Sequence, residues 1–313
     1  MKRREFMGYL AGGFAAATLE GEKGLLLGRT RRISHPSYLL GLRIGVSSWS
    51  FHNYFPATRD SDYRGPEETF ALLDFPKMMA DRYRVHHLEF VAPHFASTEP
   101  AYLDELRNQM LRSRSYLVNL PIDIKELETE GGLSDPSETV RGAAVDAAKN
   151  WIDIAAHLRA RSVRCDPGKM NPEHLTPTID SYKKLVAYSS RKGVRVIVEN
   201  HGGVGSEHPE DLIKVFKSVN SRYLGALPDF GNFPDARTRA RGLTLLFPYA
   251  PTVCHAKGLA FDAQGNETRF NFPACVAIAK RENFRGVYSV EFEGAGDPYE
   301  GVQNVINELL RDA

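Results

Sequence analysis

The chain has 313 residues, 42% hydrophobic and 25% charged, with a formal net charge of +1. That composition excludes a disordered or fibrous protein and supports a large buried core. The near-zero charge gives no long-range field for nucleic acid or an anionic membrane surface, so a small neutral or mildly charged partner fits better. Three cysteines, Cys165, Cys254 and Cys275, are too few and too widely spaced for a disulfide framework, form no Cys-x-x-Cys pair, and read as core thiols.

In chain order, the first segment stands apart. Met1-Lys2-Arg3-Arg4-Glu5-Phe6-Met7 sets an arginine pair before a mild apolar run, Tyr9 to Leu19, with Ala15-Ala16-Ala17 as small residues. This pattern is that of a twin-arginine export signal, and the run is too short to span a bilayer, so no stable membrane insertion is expected. Residues 1–40 are assigned to this signal and a linker, which places the mature protein in the periplasm; without the signal it would be cytoplasmic.

From residue 42 onward, short β-branched or aromatic runs alternate with longer amphipathic ones. Strands are predicted at Leu42–Ser47, His86–Val91, Tyr116–Ile122, Ser162–Asp166, Val194–Asn200, Leu224–Asp229, Thr252–Lys257 and Val287–Glu293. Helices are predicted at roughly 66–82, 99–113, 134–158, 178–192, 207–219, 237–248, 271–283 and 298–311 from apolar residues at three- and four-residue spacing. Strict alternation of eight strands with eight helices predicts an α/β fold, a single-domain (β/α)₈ TIM barrel over 41–313. An open doubly wound sheet would carry a nucleotide-binding glycine turn. Gly202-Gly203-Val204-Gly205 lacks that spacing and reads as a flexible loop.

The later strands end in ligand-type residues: Val198-Glu199-Asn200-His201, Pro228-Asp229-Phe230-Gly231-Asn232, Cys254-His255-Ala256-Lys257 and Val290-Glu291-Phe292-Glu293. Carboxylates beside buried runs need partners, and one cation would pair several at once. Glu199, Asp229, His255 and Glu291 form an oxygen-rich set suited to one Mn²⁺, Mg²⁺ or Co²⁺ ion, with Zn²⁺ also compatible. His201 shares a face with Glu199 by period two and is assigned to substrate. Lys257 bears the same relation to His255, as a substrate contact or an ion pair with Glu293. Arg164 ends its strand near the substrate or in a salt bridge orienting Glu199. Trp49, Phe51 and His52 follow the first strand, as a wall for a sugar ring or as core. His86-His87 reads as a structural pair within a strand.

The strings Val-Glu-Asn-His at 198–201, Pro-Asp-Phe-Gly-Asn at 228–232, His-Ala-Lys-Gly at 255–258 and Ser-Val-Glu-Phe-Glu-Gly at 289–294 resemble the xylose isomerase-like barrel superfamily, within it the sugar phosphate isomerase/epimerase group. The likeness covers 42–313, with Arg164, Gly168, Glu89 and His94 in the expected places. It implies that Glu199, Asp229, His255 and Glu291 bind the metal, that Glu199 and Glu291 also move protons, and that His94 lies near the substrate. Asn232 departs from the pattern, since ketose epimerases of the group place a substrate-contacting His there.

The resemblance implies an isomerase or epimerase of a sugar, keto-sugar or inositol-like polyol working through an enediolate. A lyase or dehydratase expelling water or an aglycone from a 3-keto-sugar or inosose is the alternative, and a non-catalytic sugar-binding protein a third reading. An endonuclease on the same barrel would need a larger His/Asp cluster and a basic face. Small sugars or polyols are the expected partners, and a homo-oligomer is compatible with the sequence.

Overall fold

Short apolar runs such as Val196-Ile197-Val198 become strands buried on both faces, the pattern of a parallel sheet covered by helices. The computed structural model describes residues 43–65, 68–128 and 131–312. The expected signal and linker over 1–40 lie outside the described residues. The strands are β1 (Ile44–Ser47), β2 (His87–Glu89), β3 (Tyr116–Pro121), β4 (Ser162–Arg164), β5 (Arg195–Glu199), β6 (Leu224–Leu227), β7 (Val253–Gly258) and β8 (Val287–Phe292). The principal helices follow as α1 (Phe75–Tyr83), α2 (Pro100–Arg112), α3 (Glu138–His157), α4 (Thr176–Lys192), α5 (Pro209–Val219), α6 (Ala236–Leu246), α7 (Phe272–Arg281) and α8 (Pro298–Arg311).

The helix boundaries follow from local chemistry. Proline occupies the first turn of α1, α2, α4, α5, α7 and α8, where its missing N–H costs nothing. Side chains of Asp235, Asn271 and Asp297 accept hydrogen bonds from the first-turn amides of α6, α7 and α8. Gly193 ends α4 at φ +73°, a left-handed position that glycine tolerates best. Apolar residues at helical spacing, such as Val302, Val305, Ile306 and Leu309 of α8, are buried against the strands.

Four expectations shift. The first helix begins at Phe75 rather than near 66, because Pro76 sets its first turn and restricts the residue before it. The third begins at Glu138, preceded by a 3₁₀ turn at Gly132–Ser134 and by Pro136. Gly203–Ser206 forms one helical turn where a loop was expected. His86 lies just before β2, its Nδ1 bonded to the Ser113 carbonyl.

All eight strands are parallel, ordered β6-β5-β4-β3-β2-β1-β8-β7. The two ends of that order meet through an isolated parallel bridge between Asp229 and His255. There the His255 amide donates to the Pro228 carbonyl at 2.9 Å and the Phe230 amide to the His255 carbonyl at 3.2 Å. Ile197, Leu227 and Val253 pack as a small cluster of their own, apart from the main core between strands and helices.

Gly225 in β6 is a position where close approach demands glycine: a Cβ there would lie 2.5 Å from the Tyr249 carbonyl oxygen and 2.7 Å from Pro251 Cδ. Gly225→Val is therefore expected to lower stability by about 1–3 kcal/mol, read as a fall in the urea midpoint at unchanged m-value.

Candidate metal centre and active site

Each strand end aims one side chain at the mouth and uses a neighbour to fix it. In β5, Glu199 turns inward while Asn200 reaches β6, its Oδ1 accepting the Asp229 amide at 2.8 Å and its Nδ2 donating to the Asp229 carbonyl at 3.2 Å. The Glu199 amide donates to Asp166 Oδ1 at 2.9 Å. After β6, Asp229 Oδ1 accepts the amides of Gly231 at 2.6 Å and Asn232 at 2.7 Å. β7 and β8 are in register with Lys257 beside Glu291.

The result brings Glu199, Asp229, His255 and Glu291 together, all buried, with one ligand-type atom of each within 4.8 Å of the others. His255 is wedged at the centre and fully buried. Its Nε2 bonds Glu89 Oε1 at 2.8 Å, and its Nδ1 lies 2.9 Å from Glu199 Oε1, 3.2 Å from Glu291 Oε2 and 3.7 Å from Asp229 Oδ2. Glu89 is held in turn by Asn119 Nδ2 at 2.8 Å, and Ser162 Oγ donates to Asn119 Oδ1 at 2.9 Å. A register shift between Leu88 and Glu89 sets Glu89 opposite Asn119.

Asp229 Oδ2 is buried and, among the described residues, has no hydrogen-bond donor. A fully buried carboxylate oxygen in that state is costly. It faces the shared centre of the cluster, so the donor set of three carboxylates and one imidazole fits a divalent cation there.

Burial disfavours an imidazolium at His255, but the carboxylates of Glu291, Glu89 and Glu199 outweigh it and raise its pKa well above the ordinary value. Burial would raise Glu199 too, yet His255 and Arg164 hold it well below the usual range. Glu291 is likewise brought down to about 2 by His255 and Lys257 against burial. Lys257, though buried, is held charged by Asp229, Glu291 and Glu293: its Nζ lies 2.5 Å from Glu291 Oε2, 3.0 Å from Glu293 Oε2 and 3.4 Å from Asp229 Oδ2.

The other residues singled out in the sequence divide into two groups. Trp49, Arg164, Lys257 and His201 line a cavity of about 110 Å³ over Glu199 and Glu291. Trp49 is positioned by the 3₁₀ turn Ser48–Tyr54 and donates from Nε1 to Glu293 Oε1 at 2.6 Å. Arg164 is committed to carboxylates, donating to Glu199 Oε2 at 2.6 Å, to Asp166 Oδ2 at 3.1 Å and to Asp123. Asn232 Nδ2 donates to Glu199 Oε1 at 3.2 Å, so this amide braces the glutamate. His201 is mostly exposed at the rim, 3.9 Å from Asp166.

His94, in contrast, is not among the residues lining that cavity. It is 5% exposed, its ring stacks on Phe55 with centroids 3.8 Å apart, and its two nitrogens are taken by Ser48 Oγ and Thr58 Oγ1, each at 2.9 Å. Its ring also stacks on that of Trp49, with centroids 6.3 Å apart. Phe51 is core, and His52 bonds the Trp49 carbonyl and Asp60. Asp123 and Asp166 line the adjoining cavity and escaped the sequence reading, although each closely follows a strand end just as the recognised ligands do. Burial pushes the Asp166 carboxyl up to about 6, with Arg164 opposing and Glu199 adding to it.

The model of the xylose isomerase-like TIM barrel family matches residues 83–311. The chain belongs to this family. No curated protein matches it in sequence. Among solved structures, it is similar to a D-tagatose 3-epimerase-like protein at 17% identity and a TM-score of 0.64, covering 86% of this chain and 97% of that one. The IolI protein with a bound zinc atom shares 13% identity at TM-score 0.64, over 86% of this chain and 97% of that one. A xylose isomerase-like TIM barrel protein from Mycobacterium smegmatis, in complex with magnesium, shares 15% identity at TM-score 0.60, over 87% and 96%. At these identities the likeness to this family's structures is one of fold.

Burial first, and the nearby His52 second, lower the His94 pKa to about 3. A histidine neutral in the fold but protonated when unfolded withdraws stability as pH falls below its unfolded value of about 6.5, down to about 3. Between pH 7 and pH 5 that amounts to about 2 kcal/mol. In urea titrations, the stability difference between the wild type and His94→Gln should narrow by this amount over that interval; an unchanged difference would show that His94 is not held neutral.

Proposed function

We propose that the protein is a divalent-metal-dependent isomerase or epimerase acting on a sugar, keto-sugar or inositol-like polyol by carboxylate-mediated proton transfer. The observation that carries this reading is the convergence of Glu199, Asp229, His255 and Glu291 around the undonated Asp229 Oδ2. The similarity to a D-tagatose 3-epimerase-like protein, a D-allulose 3-epimerase, the zinc-bound IolI protein and a magnesium complex supports it.

The four residues would hold one ion, with Mn²⁺, Mg²⁺ or Co²⁺ best suited to the oxygen-rich set and Zn²⁺ compatible. When bound, the cation would polarise the substrate carbonyl. Glu199, kept ionised by Arg164 and His255, can accept a proton from the carbon beside that carbonyl. Glu291 is kept ionised in the same way by His255 and the Lys257 ammonium, so it can serve as the second proton-transfer carboxylate, with solvent as the proton source. Trp49 walls the cavity and offers its ring face to a sugar.

Elimination is the second reading, and Asn232 favours it: where ketose epimerases would present an imidazole to substrate, this chain presents an amide already bonded to Glu199. Export through the signal-like N-terminus would place either reaction in the periplasm.

Asp229→Asn keeps the backbone bonds at Oδ1 but replaces the undonated oxygen, so Mn²⁺ affinity in calorimetry should fall by about tenfold or more while the fold persists. Glu199→Gln and Glu291→Gln should each lower turnover on the order of 10²–10⁴-fold with substrate affinity largely kept. Proton-exchange NMR in heavy water, with ketoses, inososes and 3-keto-glycosides, supplies the assay. Product with an inverted or shifted carbonyl marks isomerisation, and loss of water or aglycone marks elimination. Near wild-type turnover in both glutamine variants would remove these residues from proton transfer.

A further inference from the structure

The cavity over Glu199 and Glu291 does not end at the metal cluster. It shares Asp123, Glu199 and His201 with a second chamber of about 220 Å³, and that chamber shares Gly168 and His201 with a third of about 370 Å³. His201 borders all three. The three chambers adjoin through these shared residues, running out from the mouth past the loop after β4 and the loop after β5. Sites for organic ligands commonly occupy roughly 300–1,000 Å³. The inner chamber, at about 110 Å³, falls short of that range, and the outer one reaches it.

The outer walls suit an uncharged ring. Met170 and Pro172 offer aliphatic surface, and Gly202 and Gly203 leave main chain open to close approach. The buried carboxylate among its lining residues, Asp211, is already paired with Lys214 at 2.7 Å, and Lys169, His201 and His208, which also line it, are exposed to solvent, so no unmatched buried charge there demands an ionic ligand. We infer that the outer chamber is a binding site for a ring-sized, uncharged substituent of the substrate, so that the protein acts on a glycoside-like molecule rather than a free monosaccharide. The inference rests on the proton-transfer reading above for what happens at the inner end, and on the cavity alone for what binds at the outer end.

Gly203 provides the test. It lines the chamber, lies outside the left-handed region, and an added Cβ would meet no atom within 4 Å. Gly203→Leu therefore adds a side chain at the chamber wall with no clash at its Cβ, and Met170→Trp enlarges the wall from the loop after β4. The probes are methyl and phenyl 3-keto-β-D-glucopyranoside. Deuterium incorporation beside the carbonyl reports the inner site, and saturation-transfer NMR on the phenyl protons reports the outer one. In the wild type, kcat/KM for deuterium exchange should be about tenfold or more higher for the phenyl compound. Gly203→Leu and Met170→Trp should erase that advantage and the saturation transfer, while exchange on the methyl compound stays within about twofold. Equal kcat/KM for the two compounds in the wild type, or a loss that strikes both alike in both variants, overturns the outer site. Absence of deuterium exchange on either compound counts against the proton-transfer reading instead; the outer site then stands if the variants abolish saturation transfer and falls if they leave it unchanged.

Discussion

His255 joins two requirements that the rest of the molecule must satisfy together. Its backbone closes the seam between β6 and β7, exchanging hydrogen bonds with Pro228 and Phe230, and its imidazole fills the space between Glu89 and Glu199. The eight-stranded order has its two ends at that seam. Closure of the barrel and assembly of the charged cluster are therefore one event: Asp229 reaches the cluster because its backbone pairs with His255.

Such an arrangement concentrates negative charge where water is scarce, and an unpaired buried carboxylate is among the costliest features a fold can carry. The chain meets this with three cationic side chains. Arg164 serves Glu199, Asp166 and Asp123 on the β4 side, Lys257 serves Glu291, Glu293 and Asp229 on the β7 side, and His255 stands between them. Asp229 Oδ2 is left without a donor even so. Among the cluster's carboxylate oxygens it is this one that the cationic side chains leave undonated, and a divalent cation would gain most by entering there.

The strands were legible because each is a short apolar run buried on both faces, and the four cluster residues because carboxylates and histidine at the ends of such runs have few alternative explanations. Glu199, Asp229, His255 and Glu291 stand out against Val-Ile-Val and Tyr-Ser-Val neighbours in the bare sequence. The support beneath them was not legible. Asn119 and Ser162 are unremarkable letters inside strands, and only the register shift beside Glu89 and the parallel pairing of β3 with β4 show that they carry Glu89 to His255. The hydrogen-bond partners of His94 were equally hidden. A histidine after a strand in this family resemblance suggests a ligand contact, and the hydroxyls of Ser48 and Thr58 and the ring of Phe55 hold it, a tertiary arrangement no local pattern displays. The Gly202–Gly205 segment was opaque for a further reason: glycines signal freedom, and only the surrounding loops decide that one turn of helix uses it.

The cluster residues also share a way of being held. Asp229 gives Oδ1 to the amides of Gly231 and Asn232 and leaves Oδ2 toward the centre. Glu199 gives Oε2 to Arg164 and turns Oε1 toward His255. His255 gives Nε2 to Glu89 and turns Nδ1 inward. At Asp229 one oxygen is held by the scaffold and the other is presented, and the bonds at Glu199 and His255 fix their rotamers before any ligand arrives, which lowers the ordering cost of binding. The undonated Asp229 Oδ2, held at its other oxygen by two amides and turned to the centre, is thus an argument from geometry that the centre is built to receive something.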